Sequence, residues 1–252
     1  SKSTTSWYPA NPFRDCATFK MAFNCPDDYQ IVACGDKIST VIEKGRAQTE
    51  WLVSQPVEYV SFNIGNFESK MIAVPNLPPV KVYISNNIPH TELAMYLAET
   101  SGTLSSADMT GRVGADVTNS MAFFTSLFGP CPFDTIKATE IPSYMGQGSP
   151  GLIYLSWLTY QTERLEGQDV QFRAHEVAHQ WWGHMVDKES DRDTWITEGL
   201  AQYCGFWFYQ MSEKKTNACN NILKSWRRDI ITCMGDNSKD TKAGPVVMGT
   251  RL

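Results

Sequence analysis

A chain of 252 residues with 42 % hydrophobic and 12 % aromatic side chains, and 22 Lys+Arg against 27 Asp+Glu, is too apolar and too weakly charged for intrinsic disorder. The net charge of −5, without a Lys/Arg cluster, argues against nucleic acid or an anionic membrane as the main partner. The longest nearly apolar stretch, 151–160, is about half what a membrane-spanning helix needs, so no membrane span is expected. The length allows one large or two modest domains. Ser1 is not preceded by a basic-then-apolar leader, which reads as a processed or excised end and leaves the compartment open. Cys16, Cys25, Cys34, Cys131, Cys204, Cys219 and Cys233 are odd in number and include no C-x-x-C pair. They are read as small buried thiols rather than a disulfide framework.

From 17 to 72 the apolar residues come in short Val-, Ile-, Phe- and Tyr-rich runs, broken by turn signals such as Gly35-Asp36 and Lys44-Gly45. This pattern predicts antiparallel β-structure. Val60, Phe62 and Ile64 alternate with Ser61 and Asn63, so one face of a strand there is expected on a core. Three prolines within 75–79 fit neither a helix interior nor a central strand and make this the best linker candidate. A further strand is expected at 80–84. Residues 106–127 carry Val113, Val117, Met121 and Phe124 at helical spacing, and Gly129-Pro130 ends the helix. Strands follow at 136–141 and 152–157, separated by a Gly/Pro/Ser-rich turn at 145–151. Helices are expected at 170–185, 195–211 and 212–234. Strands first and helices afterwards predict an α+β fold.

Three of the four histidines fall within ten residues, in His175-Glu176-Val177-Ala178-His179-Gln180-Trp181-Trp182-Gly183-His184. On a helix His175 and His179 lie one turn apart on one face, so their imidazoles can share a cation. H-E-x-x-H on a helix is the pattern of a zinc site with the glutamate as general base. A catalytic zinc needs a third protein ligand and an open position. His184 projects well off the ligand face and is expected to cap the helix C-terminus instead. Trp182 and Met185 stand where a metzincin would need Gly and His. Glu198 in Trp195-Ile196-Thr197-Glu198-Gly199, on a second helix, completes the His₂Glu set of thermolysin-like peptidases. Trp181 and Trp182 are read as core. His90 has no assigned role, and Asp191 and Asp193 are read as solvated loop residues, although one could orient a histidine.

His175-Glu176-x-x-His179, eighteen residues, then Glu198, with Gln180 to Gly183 and Trp195 to Ala201 around them, resembles the gluzincin aminopeptidases of the aminopeptidase N type. Upstream, Trp7-Tyr8-Pro9 and the strands to Ile72 look like the end of that family's N-terminal β-domain. The resemblance implies a β-rich module over 1–76 and a thermolysin-like catalytic region over 77–252, together an internal piece of a longer polypeptide. It also implies one Zn²⁺ per chain held by His175, His179 and Glu198, Glu176 as general base, and a peptide as substrate. Gly148, Ser149 and Gly151 are the candidate substrate contacts. Gly151 is taken to stand where the family's glutamate anchors the substrate's α-amino group. The family's transition-state tyrosine is expected past Leu252, and Gly205 replaces an acidic residue common near the zinc. A catalytically silent zinc module for binding or scaffolding remains the alternative, although an intact Glu176 favours hydrolysis.

Overall fold

A computed structural model describes residues 7–8, 15–86, 106–143, 145–160, 167–214 and 216–235. The architecture is α+β. The first part is a three-stranded antiparallel sheet, with β1 (Ala17–Pro26) and β3 (Asp36–Glu43) on either side of β4 (Arg46–Val57). Beside it lies a two-stranded pair, β2 (Gln30–Ala33) with β5 (Phe62–Gly65). Met21, Ala47, Trp51 and Val53 form the core of this β-rich part together with Val32 and Ala33.

A five-stranded sheet follows in the order β6-β7-β8-β10-β9. Its centre, β7 (Val80–Ser85), β8 (Ile136–Ile141) and β10 (Leu152–Ser156), is parallel. Its edges, β6 (Phe67–Ile72) and β9 (Gln147–Ser149), are antiparallel to their neighbours. Central strands covered on both faces should be apolar throughout, and every residue of β10 is buried. Helix α1 (Ser106–Phe128) lays Val113, Val117, Met121 and Phe124 on this sheet, all fully buried as the spacing predicts. The chain then forms α2 (Gln168–Ala178), α3 (Thr194–Glu213) and α4 (Thr216–Gly235). Cys25, Cys34, Cys204 and Cys219 are buried free thiols.

Four expectations need correction. The prolines at 75–79 do not lead away from the β-rich part: they close a hairpin between β6 and β7, so one sheet runs across the expected boundary at 76. The turn at 145–151 contains an edge strand, β9, paired with β10. The strand expected from Val60 begins at Phe62, and Ile64 is 48 % exposed. There the inward residue is polar: Asn63 Nδ2 donates to Thr139 Oγ1 at 2.8 Å and to the Glu140 carbonyl at 3.0 Å. Finally, the helix expected over 170–185 stops at Ala178 and folds back through a turn. Gly183 adopts φ +126°, and Trp182 bridges Val186; only glycine takes that φ without steric strain.

Candidate metal centre

Helix α2 is held by an arginine. Arg173, 1 % exposed, donates through its guanidinium to Asp116 Oδ2 of α1 at 2.5 Å, and to Thr159 Oγ1 and O at 2.9 and 2.6 Å. Such a charge-assisted cluster fixes both the rotation and the height of the helix. One turn on, His175 and His179 bring their Nε2 atoms to 3.1 Å. Glu198 Oε2, from α3, lies 3.6 Å from each. Around a tetrahedral zinc with ligand bonds near 2 Å, donor atoms sit about 3.3 Å apart. Two facing imidazole lone pairs and a carboxylate also need positive charge between them. The donor set and spacing therefore fit Zn²⁺. His179 Nδ1–H donates to the Trp182 carbonyl at 3.0 Å, which leaves Nε2 as the ligating atom. His175 Nδ1 is buried without a hydrogen-bond partner.

The contact between the ligand helices passes through Gly205 of α3. A Cβ there would lie 2.6 Å from the Gln171 carbonyl and 3.0 Å from the His175 amide nitrogen. Glycine at 205 thus lets α3 come close enough to place Glu198 over the histidine pair. Burial would pull the His179 imidazole down, but Glu198 and Glu176 raise its affinity for a proton above the ordinary value. The interaction with His175 and His179 holds the Glu198 carboxyl well below the usual range, against the opposing effect of burial.

Glu176 is 4 % exposed. Burial pushes its carboxyl up to about 7, with the two histidines pulling the other way. The Gly148 backbone also favours the charged carboxyl, and Oε2 is buried without a hydrogen-bond partner. Strand β9 crosses α2 here on glycines: a Cβ at 146 would strike Glu176 Oε1, and one at 148 would lie 2.6 Å from His179 Cβ. Gly148 therefore sits against the ligand helix, as does β9 with Ser149, which is fully buried. Gly151 does not. It makes the turn into β10 at φ +65°, beside Phe133 and the Thr135 carbonyl, with its amide donated to Gln180 Oε1 at 3.0 Å. The backbone facing Glu176 and His179 belongs to Gly146 and Gly148.

His184 caps no helix. Its Nε2–H donates to the Gly148 carbonyl at 3.1 Å, and its ring packs on Tyr59 and Phe133. Trp181 is core, 1 % exposed against Phe124 and Phe128, and Trp182 is half-buried on Phe128. Asp193 accepts from Ser190 N and Oγ, closing the loop between the ligand helices rather than orienting a histidine. His90 and the Asp191 side chain lie outside the described residues. Sequence reasoning missed Gln180, whose amide joins the β9–β10 turn at Gly151 N and Ser149 O, and Tyr59, whose hydroxyl donates to the Gly148 carbonyl at 3.0 Å. The position of Gln180 beside the H-E-x-x-H motif was a usable signal for the first. No local pattern marks the second.

Residues 155–243 match the Peptidase family M1 domain. The chain is 25 % identical over 157 residues to Aminopeptidase 2 of Candida albicans, covering 58 % of this chain and 15 % of that protein. It is 34 % identical over 65 residues to glutamyl aminopeptidase of Sus scrofa, covering 26 % and 7 %. The crystal structure of an M1 zinc metallopeptidase from Deinococcus radiodurans superposes with a TM-score of 0.61 at 19 % identity, over 86 % of this chain and 45 % of that one, which places the fold. The chain thus spans a small part of the curated relatives it matches. The H-E-x-x-H helix and Glu198 both lie within the residues that match this domain, and over that stretch the chain is similar to the gluzincin, or M1, aminopeptidases.

Proposed function

We propose that this chain carries the catalytic centre of a zinc aminopeptidase, with His175, His179 and Glu198 holding one Zn²⁺ and Glu176 acting as general base on a peptide. The observation that carries this reading is the Glu176 carboxyl. One oxygen lies against Gly146, just before β9, while Oε2 is buried without a partner next to the histidine pair. A silent structural site would have no use for such a group, because an unpaired buried carboxyl oxygen is destabilising. Zinc, when bound, supplies a Lewis acid that brings the pKa of water toward about 7 and polarises a carbonyl. Glu176 then takes the proton of the attacking water on Oε2 and passes it to the leaving amine. Cleavage from the peptide's N-terminus follows the aminopeptidase relatives, and β9 with Gly148 and Ser149 forms the wall nearest the reacting bond.

Glu176→Gln keeps the shape and removes the base. Zinc content by metal analysis should stay at one per chain, while peptide hydrolysis by the zinc-loaded protein falls by about 10²–10⁴. Full zinc with undiminished hydrolysis would overturn the assignment of the base. Zinc bound by the wild type without hydrolysis of any peptide in a library would favour the silent module.

A further inference from the structure

We infer that Tyr59, in the β-rich part of the chain, is a positioning residue for the metal centre, because it and His184 grip the Gly148 carbonyl of the strand that contacts Glu176. Gly148 lies opposite Ile153 in the β9–β10 ladder, and both its backbone groups turn away from β10. Its amide meets the Glu176 carboxyl. Its carbonyl accepts from Tyr59 Oη at 3.0 Å and from His184 Nε2 at 3.1 Å. The two donors brace each other, with ring centroids 5.8 Å apart at 62°, an edge-to-face packing that fixes both rings.

A carbonyl has two lone pairs, and here both are taken by side chains far apart in sequence. Tyr59 follows β4 in the β-rich part, and His184 follows the ligand helix. Strand β9 is only three residues long and paired on one side, so its own ladder cannot hold it firmly. The grip is well suited to persist near neutral pH. Burial pushes the Tyr59 phenol up to about 12 and pulls the His184 imidazole down to about 4, so both stay neutral, and an imidazole donating to a carbonyl through Nε2 must carry its proton there. Gly146 and Gly148 leave no side chain between β9 and α2. A shift of the strand therefore passes directly to Glu176, with no intervening group to absorb it.

The test is Tyr59→Phe, which keeps the ring against His184 and deletes one hydroxyl. Hydrogen exchange read by mass spectrometry on the metal-free chain should quicken roughly three- to tenfold in segments spanning β9, the scale of one lost hydrogen bond, and stay unchanged in β1, β4 and α1. In the zinc-loaded protein kcat should fall by a similar factor with KM and zinc content unchanged. This kinetic arm rests on the proposed peptidase reading, and the exchange arm does not. His184→Gln, which retains an N–H donor of similar reach, should leave β9 exchange within about twofold of wild type, whereas His184→Ala should match or exceed Tyr59→Phe. Unchanged β9 exchange in Tyr59→Phe overturns the inference, as does faster exchange spread over the whole chain. Quickened β9 exchange with unaltered kcat in an active protein would show that the strand is held by Tyr59 but does not position Glu176.

Discussion

The two helices that meet at the candidate metal centre are built on opposite plans. Helix α2 is short and buried on most of its surface, and its histidine side chains are 15 % and 12 % exposed. Arg173 ties it to α1, and β9 with the residue before it lies across it on Gly146 and Gly148. Helix α3 is nearly twice as long, and its proposed ligand Glu198 is 49 % exposed, with Trp195, Ile196 and Tyr203 also open to solvent. The histidine pair is thus set by local helical geometry inside a rigid frame. The carboxylate is set by how closely one helix approaches another. Preorganised ligands contribute most of a site's affinity because little is left to order on binding.

The largest effect expected from that asymmetry is on metal affinity. His179→Ala should abolish zinc binding, since no second imidazole remains on the frame. Glu198→Gln should retain zinc with affinity lowered at least a hundredfold, a larger loss than the roughly 10–100-fold typical of groups that only support a ligand. Competitive titration with a chromophoric chelator separates the two. Equal and complete loss in both variants would mean that the carboxylate is as much a part of the preformed site as the histidines.

The same asymmetry explains what the sequence disclosed. The i, i+4 histidines and the buried face of α1 are periodicities, and periodicity is written into one stretch of chain. Glu198 stands out in the sequence through the chemistry of zinc, which demands a third ligand, and through the family pattern it resembles. The packing that delivers it was not visible, because Gly205 acquires meaning only against the Gln171 carbonyl of another helix. The parallel order β7-β8-β10 and the hairpin through 75–79 are pairings between distant segments, and prolines there signalled a break without saying what lay on its far side. The placement of Gly151 away from α2 is invisible in the sequence for a related reason. In a run of glycines every residue is compatible with a turn, and only the register of β9 shows which of them faces α2.

A smaller effect tests the approach of the helices itself. Gly205→Ala places a methyl group 2.6 Å from the Gln171 carbonyl, where backbone rather than a flexible side chain must yield. Overpacking of this kind costs about 1–3 kcal/mol, measurable by urea unfolding of the metal-free chain. Zinc affinity should fall about ten- to a hundredfold as Glu198 is carried outward, by analogy with supporting groups. Lost stability with unchanged zinc affinity would show that α3 can flex at its N-terminal end and that Glu198 does not depend on the close contact.

The smallest expected effect lies between the two helices, at His184. Burial lowers its imidazole from 6.5 to about 4, so the folded chain keeps it neutral at pH values where the unfolded chain protonates it. Below about 6.5 the unfolded state binds the extra proton, and stability falls with falling pH until the folded pKa near 4 is reached; above 6.5 the contribution is complete. Between pH 7.5 and 5.5 this amounts to about 1 kcal/mol. His184→Gln keeps a donor for the Gly148 carbonyl but has no titration, so in the metal-free state it should lose about 1 kcal/mol less than wild type over that interval, read from paired urea midpoints. A difference of zero would mean that the His184 imidazole is hydrated in the folded chain, and the segment between the helices would then belong with the open plan of α3 rather than with the buried frame of α2.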